Sequence, residues 1–177
     1  MFRRILVPVD GSATSRRGLR LAIELARDQK AVLELLHVID MLLVTPALSG
    51  GTYVSTQQVE QFVTALRSQG EKVLAQAEGL ARKAGLQCRA VVVETPGSPV
   101  ADSIVAHARK RRVDLIVIGT HGRRGLSRMV LGSDAEGVVR ESPVPVLLVR
   151  LAKAPVARRA TKRAARKGAA APRARQG

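Results

Sequence analysis

Two short stretches of this chain carry the residue types that hold anions. The first is VPVDGS, where Asp10 follows an apolar run and Gly11-Ser12 turn the chain. The second, VIGTHGRRGLSRMVLGSDAEGVV, spans 117–139. In it Gly119, Gly122 and Gly125 let backbone come close to a ligand and take positive φ, and Gly132-Ser133 opens a helix whose free N–H groups favour phosphate. The Ser133 hydroxyl adds a donor. The residues alone leave two readings open for each stretch. Asp10 serves as an acidic helix cap or as a ligand group; the glycine run is an anion cradle or a ligand-free loop. Arg123, Arg124 and Arg128 are placed to clamp phosphates or simply to be solvated.

Familiar phosphate motifs are excluded. No Lys follows the loop glycines as G-x-x-x-x-G-K-[ST] demands, and GTHGRRG is spaced G-x-x-G-x-x-G rather than G-x-G-x-x-G. For hydrolysis, Asp10, His121 and Asp134 are the only candidates to position a water, and none has an obvious third group to orient it. Binding without appreciable turnover is therefore expected. His37, inside LLHVI, reads as a packed strand histidine, and His107, among Ala108, Arg109 and Lys110, as a helix-surface residue. The single Cys88 cannot form an internal disulfide or make a metal site by itself, and reads as a small core hydrophobe.

The elements that must position these residues follow from periodicity. Runs of branched aliphatics over 4–9, 31–39, 88–94, 114–119 and 144–149 predict strands, several nearly continuous in apolar residues, as strands covered on both faces are. Helical spacing predicts helices over 12–30, 56–84, 98–111 and 133–141, with Ser12 and Ser98 as N-caps and Gly85 as the C-cap. Strand and helix alternate, which predicts a doubly wound five-stranded parallel sheet with helices on both faces. Residues 40–55, with Pro46 and Gly50-Gly51, form the one long connection, expected to act as a mobile flap.

The charge is uneven. The chain of 177 residues carries 30 Lys or Arg against 14 Asp or Glu. Nine of those cations and no acid lie in 153–177, leaving 21 against 14 elsewhere. That Ala, Arg, Lys and Pro composition cannot bury a core, so 1–151 reads as one folded domain and 152–177 as a disordered polybasic tail. With only three aromatic residues, stacking of bases on aromatic side chains is not expected. No stretch approaches the ~20 apolar residues needed to cross a bilayer. No signal segment is recognised and the lone cysteine fits a reducing interior, so a cytoplasmic location with no membrane partner is expected.

Gly119-x-x-Gly122, nine residues, then Gly132-Ser133, together with ILVPVDGS at the start and SPVPVLLVR at the end, resemble the universal stress protein family, in its ATP-binding branch. Agreement runs from Met1 to Arg150. The resemblance implies the Rossmann-like fold of the adenine nucleotide alpha hydrolase type and ATP as a regulatory ligand, with Mg²⁺ or Mn²⁺ carried on the phosphate oxygens. It further implies that Pro8, Asp10 and Val38 hold the adenine and ribose end. Ile118 and Gly119 would line the ribose, and His121, Gly122, Gly132 and Ser133 would face the phosphates. One position departs from the pattern: Asp134 stands where the family usually has a small apolar residue. A carboxylate there gains from the helix dipole but repels a close anion by ~1 kcal/mol or more, unless a metal ion bridges the two.

A homodimer through the last strand, Val144 to Val149, is also implied by the resemblance, and an exposed apolar edge invites such pairing. The tail lies outside the resemblance and suits non-specific contact with DNA phosphates. The alternative function is thus a nucleic-acid-associated dimer whose domain holds no nucleotide. An adenine-nucleotide hydrolase ranks last, because VDGSATS provides neither an S-G-G-x-D-S loop nor a His-x-Gly-His pair.

Overall fold

A computed structural model describes residues 1–41, 55–95, 97–122 and 131–151. The flap expected within 40–55 falls mostly outside these residues, as do Arg123, Arg124, Gly125, Arg128 and the tail from 152 onward.

Five strands, β1 (Arg4–Pro8), β2 (Val32–Ile39), β3 (Cys88–Glu94), β4 (Leu115–Gly119) and β5 (Val146–Val149), form one parallel sheet in the order β3-β2-β1-β4-β5. They alternate with α1 (Ala13–Gln29), α2 (Thr56–Lys83), α3 (Val100–Arg111) and α4 (Ser133–Glu141). Helices α1 and α2 cover one face, burying Leu19, Ala22 and Ala26 with Leu74, Ala77 and Ala81 over Ile5, Val7, Leu33, Leu35 and Val117. Helices α3 and α4 cover the other, where Ala101, Ile104, Ala108, Ala135 and Val138 pack on Leu6, Leu36, Ile116 and Ile118. Alternate residues of each inner strand thus serve opposite layers, which is why the strand sequences read as continuous apolar runs.

Small residues set how closely the layers approach. A Cβ on Gly137 would lie 2.7 Å from the Ala101 Cβ, so α3 and α4 meet through glycine and alanine. Gly70 on α2 leaves space for His37, which is 2% exposed and whose Nδ1 lies 2.6 Å from the Val9 carbonyl. His37 is therefore packed in the strand as its sequence context predicts.

The ends of the elements differ from expectation in instructive ways. Ser12 caps α1, its hydroxyl accepting from the Ser15 amide. Helix α3 instead begins behind Pro99, with no side-chain cap, so Ser98 is not the N-cap. Proline suits that place because it has no N–H to satisfy and its φ is preset. Gly85 has φ +77 and follows the cap residue Ala84 at the end of α2. Strand β5 starts at Val146 rather than Val144, because Pro145 has no N–H for the ladder; its carbonyl still accepts from Ile116.

His107 departs from its expected place on the helix surface. Its side chain is 10% exposed, and its Nε2 lies 3.8 Å from Oε2 of Glu34, itself 2% exposed in the middle of β2. Arg111 binds the same carboxylate at 3.0 Å. A lone acid in an apolar strand must find a cation, and the last two turns of α3 bring both partners over it.

Candidate functional site

The strand order reverses between β1 and β4. The chain leaves β1 toward α1 on one face and leaves β4 toward α4 on the other, opening a crevice between the two carboxyl ends. In open parallel sheets this is where ligands bind.

The β1 side is built by a turn that satisfies itself. Gly11 takes φ +80, which only glycine adopts readily. This lets the Ser12 amide donate to Oδ1 of Asp10 at 2.8 Å, while the Ser12 hydroxyl accepts from Ser15 at 3.1 Å. Asp10 is thus the acidic half of a turn-and-cap device, and its other oxygen remains turned toward the opposite loop. A Cβ on Gly122 would lie 3.1 Å from that Oδ2.

The β4 side is held against α1. A Cβ on Gly119 would stand 2.9 Å from the Thr14 Cβ and 3.0 Å from the Ser15 nitrogen, so the strand passes the helix with no room for a side chain. The buried Thr14 hydroxyl donates to the His121 carbonyl, and the Ser12 hydroxyl reaches the same oxygen at 3.5 Å. Sequence reasoning missed Thr14; the hydroxyl run in GSATS, one helical turn long, was the available signal. Among the described glycines, positive φ occurs at Gly11, Gly85 and Gly97 and not at Gly119, Gly122 or Gly132. Those three act through the missing side chain, which corrects the expectation of positive φ at Gly119 and Gly122; Gly125 lies outside the described residues.

Beyond the loop, the Gly132 amide donates to the Thr120 carbonyl at 2.9 Å and the chain enters α4. Gly132 is the N-cap and supplies no side-chain hydrogen bond. Ser133 and Asp134 are exposed in the first turn, with Glu136 close behind. The Thr120 hydroxyl meets Nδ1 of His121 at 3.0 Å, whereas Nε2 of His121 is shielded from solvent and has no hydrogen-bond partner. Among the described residues this shielded ring nitrogen, close to the start of α4, is a buried polar group without a partner.

The structure therefore gathers Asp10, Gly119, His121, Gly122, Gly132, Ser133 and Asp134 on one rim. Pro8 closes β1, and Ile118, 6% exposed, lies in the sheet just beneath. Val38 stands two residues beyond Leu36, the register partner of Pro8, on the neighbouring strand. Its half-buried side chain packs into the α3 and α4 layer, and it pairs in register with Val93 of β3.

Comparison with known proteins agrees with this geometry. A sequence model described as "Universal stress protein family" matches residues 1–150. Universal stress protein YxiE of Bacillus subtilis is 36% identical over 151 residues, covering 85% of this chain and all of that protein. The solved structure of hypothetical protein MJ0577 superposes with a TM-score of 0.74 at 25% identity, covering 87% of this chain and 99% of the other. That of the Archaeoglobus fulgidus universal stress protein in complex with dAMP matches with a TM-score of 0.58 at 25% identity, over 83% and 97% of the two chains.

Proposed function

This chain belongs to the universal stress protein family, and from that premise we propose that its β1–β4 crevice binds an adenine nucleotide as a regulatory ligand. ATP with Mg²⁺ or Mn²⁺ on its phosphates is the species assigned. The observation that carries the reading is the entry to α4. A helix whose N-cap offers no side chain leaves its first amides to be satisfied from outside, and the dipole there favours an anion. The amino end of α1, by contrast, is already closed by Ser12. The dAMP complex of the related Archaeoglobus protein supports an adenine nucleotide as the ligand class.

In this reading Pro8, Asp10 and Val38 bound the base and ribose, Ile118 and Gly119 line the ribose, and His121, Gly122, Gly132 and Ser133 face the phosphates. The unpartnered Nε2 of His121 donates to a phosphate oxygen. The metal ion, when bound, screens the phosphate charge and needs no cage of protein ligands. Asp134 opposes the anion unless that ion lies between them.

Turnover is not part of the function. One oxygen of the Asp10 carboxylate is held by the Ser12 amide, and the Nδ1 of His121 meets a threonine hydroxyl rather than a carboxylate that would orient it as a general base. Acid extraction of the purified chain, followed by calorimetry with Mg-ATP, tests the reading. Released adenine nucleotide or saturable heat supports it. An empty protein giving no heat at millimolar Mg-ATP overturns it, and phosphate release at kinase-like rates overturns the regulatory assignment.

The same reading includes a homodimer through β5. This strand is one edge of the sheet, with Leu148 37% exposed and Leu151 53% exposed just beyond it. Edge pairing with a second copy covers both the open ladder and these side chains. A monomeric sedimentation coefficient at micromolar concentration removes this assignment.

A further inference from the structure

The opposite end of the sheet carries chemistry that a nucleotide at the β1–β4 crevice does not use. All four helices run antiparallel to the strands, so their carboxyl termini gather at the amino end of the sheet, α1 ending before β2 and α3 before β4 on either side of β1. Arg3 is exposed there, its amide and that of Arg4 both donating to Oδ2 of Asp114 at 2.7 and 2.8 Å. Lys30 immediately precedes β2, and Arg109, Lys110, Arg111 and Arg112 precede β4 in succession.

Interaction with helix dipoles explains cations in a last turn. It does not explain where two of these stand. Lys30 at φ 56 and Arg112 at φ 51 are the residues that close α1 and α3, and among the described residues they are the non-glycine positions in the left-handed region. Glycine is the residue that closes a helix there without strain, and this chain uses Gly85 in that way after α2. At the two helix ends flanking β1 it keeps a strained cation instead. Strain retained at a surface site points to a role for the side chain.

The placement gives a row. In sheet order Lys30, Arg3 and Arg112 stand at the starts of β2, β1 and β4. Hydrogen bonds from Val32 to the Arg3 carbonyl and from Asp114 to the Arg4 carbonyl fix the three segments side by side. Adjacent strands are about 4.8 Å apart, so the outer two backbones are about 10 Å apart and the three side chains form one continuous basic strip. All three side chains are exposed, and among the described residues none forms an ion pair. Of the acids nearby, Glu34 is taken by Arg111 and Glu78 by Arg82, while Asp28 and Asp114 keep their charge, so Lys30, Arg3, Lys110 and Arg112 outnumber them four to two.

We infer that this amino-terminal rim is a second interaction face that takes the phosphate backbone of duplex nucleic acid through Lys30, Arg3, Arg112 and Lys110. The near absence of aromatic residues argues against a single strand, which is held by stacking. Contact with backbone alone carries no sequence preference.

The test uses the full chain with a 20-base-pair duplex, titrated by anisotropy across a range of salt. Replacing both strained cations, Lys30→Gly with Arg112→Gly, removes two phosphate contacts. The slope of log K against log salt is expected to fall by about 1.8 in magnitude, while the melting temperature rises because the strain is relieved. An unchanged slope overturns the proposal. Hydrogen exchange on the unaltered chain is an independent reading: the duplex is expected to protect 28–32 and 109–114. Protection confined to residues beyond 151 assigns all binding to the tail and overturns the rim. Equal affinity for polyglutamate at the same salt overturns the assignment to nucleic acid.

Discussion

The two ends of the sheet solve the same problem, how a strand and a helix join, with opposite materials. At the carboxyl end the joins are made with glycine and hydroxyl residues. Gly119 lets β4 slide under the first turn of α1, and the Ser12 and Thr14 hydroxyls tie the facing loops together through the His121 carbonyl. At the amino end the joins on either side of β1 are closed by Lys30 and Arg112, charged residues in a conformation that suits glycine better. Closeness is what the first end requires, since a ligand approaching backbone amides needs no side chain in the way. The second end presents long side chains outward, where reach matters more than fit. Under the two proposals above, one fold would hold a small anion deeply and meet a large one broadly.

Four substitutions break or sharpen this contrast. The largest effect is expected for Gly119→Val. Its side chain would collide with the backbone of Thr14 and Ser15, costing about 3 kcal/mol in urea denaturation and abolishing nucleotide binding together with stability. Next, Ser12→Ala removes the α1 cap and one bond to the His121 carbonyl. A loss of ~1 kcal/mol is expected in the same measurement, with the crevice loosened and the amino-end rim unaffected. Asp134→Val is expected to tighten Mg-ATP binding severalfold, by about 1 kcal/mol or more, without a matching change in duplex affinity. Calorimetry and anisotropy on the same preparation compare the two directly.

The smallest effect concerns pH at the amino end. Burial, the main influence, outweighs the opposing pull of Glu34 and, with Arg111 and Lys110 adding, holds the His107 pKa below its ordinary 6.5. The folded state therefore binds this proton less readily than the unfolded chain does. The stabilisation is complete above 6.5 and is lost as pH falls from there through the lowered folded value. His107→Gln is expected to flatten the part of the stability curve below pH 6.5, read from denaturation midpoints at pH 7 and 5. A curve that keeps its slope in the variant rejects this account.

Much of the architecture was legible because it depends on one-dimensional patterns. The nearly continuous apolar strands announced a sheet covered twice, and β3 and α4 fall on their expected bounds. The site was legible as a set of positions, since Asp10 and the glycines of the second loop stand at the ends of β1 and β4. Their roles were less so. A glycine required by packing and one required by a left-handed turn look identical in sequence, and here Gly11 is the latter while Gly119 is the former. His107 was misplaced because its neighbours are charged, although helical geometry puts it one turn from Arg111, facing the same buried carboxylate. That carboxylate, Glu34 inside AVLELLHVI, was the overlooked signal. Nothing in the sequence distinguishes Lys30 and Arg112 from the other cations, because their peculiarity lies in a backbone angle.

The hydrogen bond from the Gly132 amide to the Thr120 carbonyl has an evolutionary corollary. Gly132 stands against the very residue that ends the β4 side, so this anchor is complete without any contribution from the sequence between them. Doubling the length of such an excursion costs only about 0.6 kcal/mol in closure entropy. Descendants of this chain can therefore lengthen, shorten or rewrite that excursion to suit a different phosphate tail while the core beneath keeps its register.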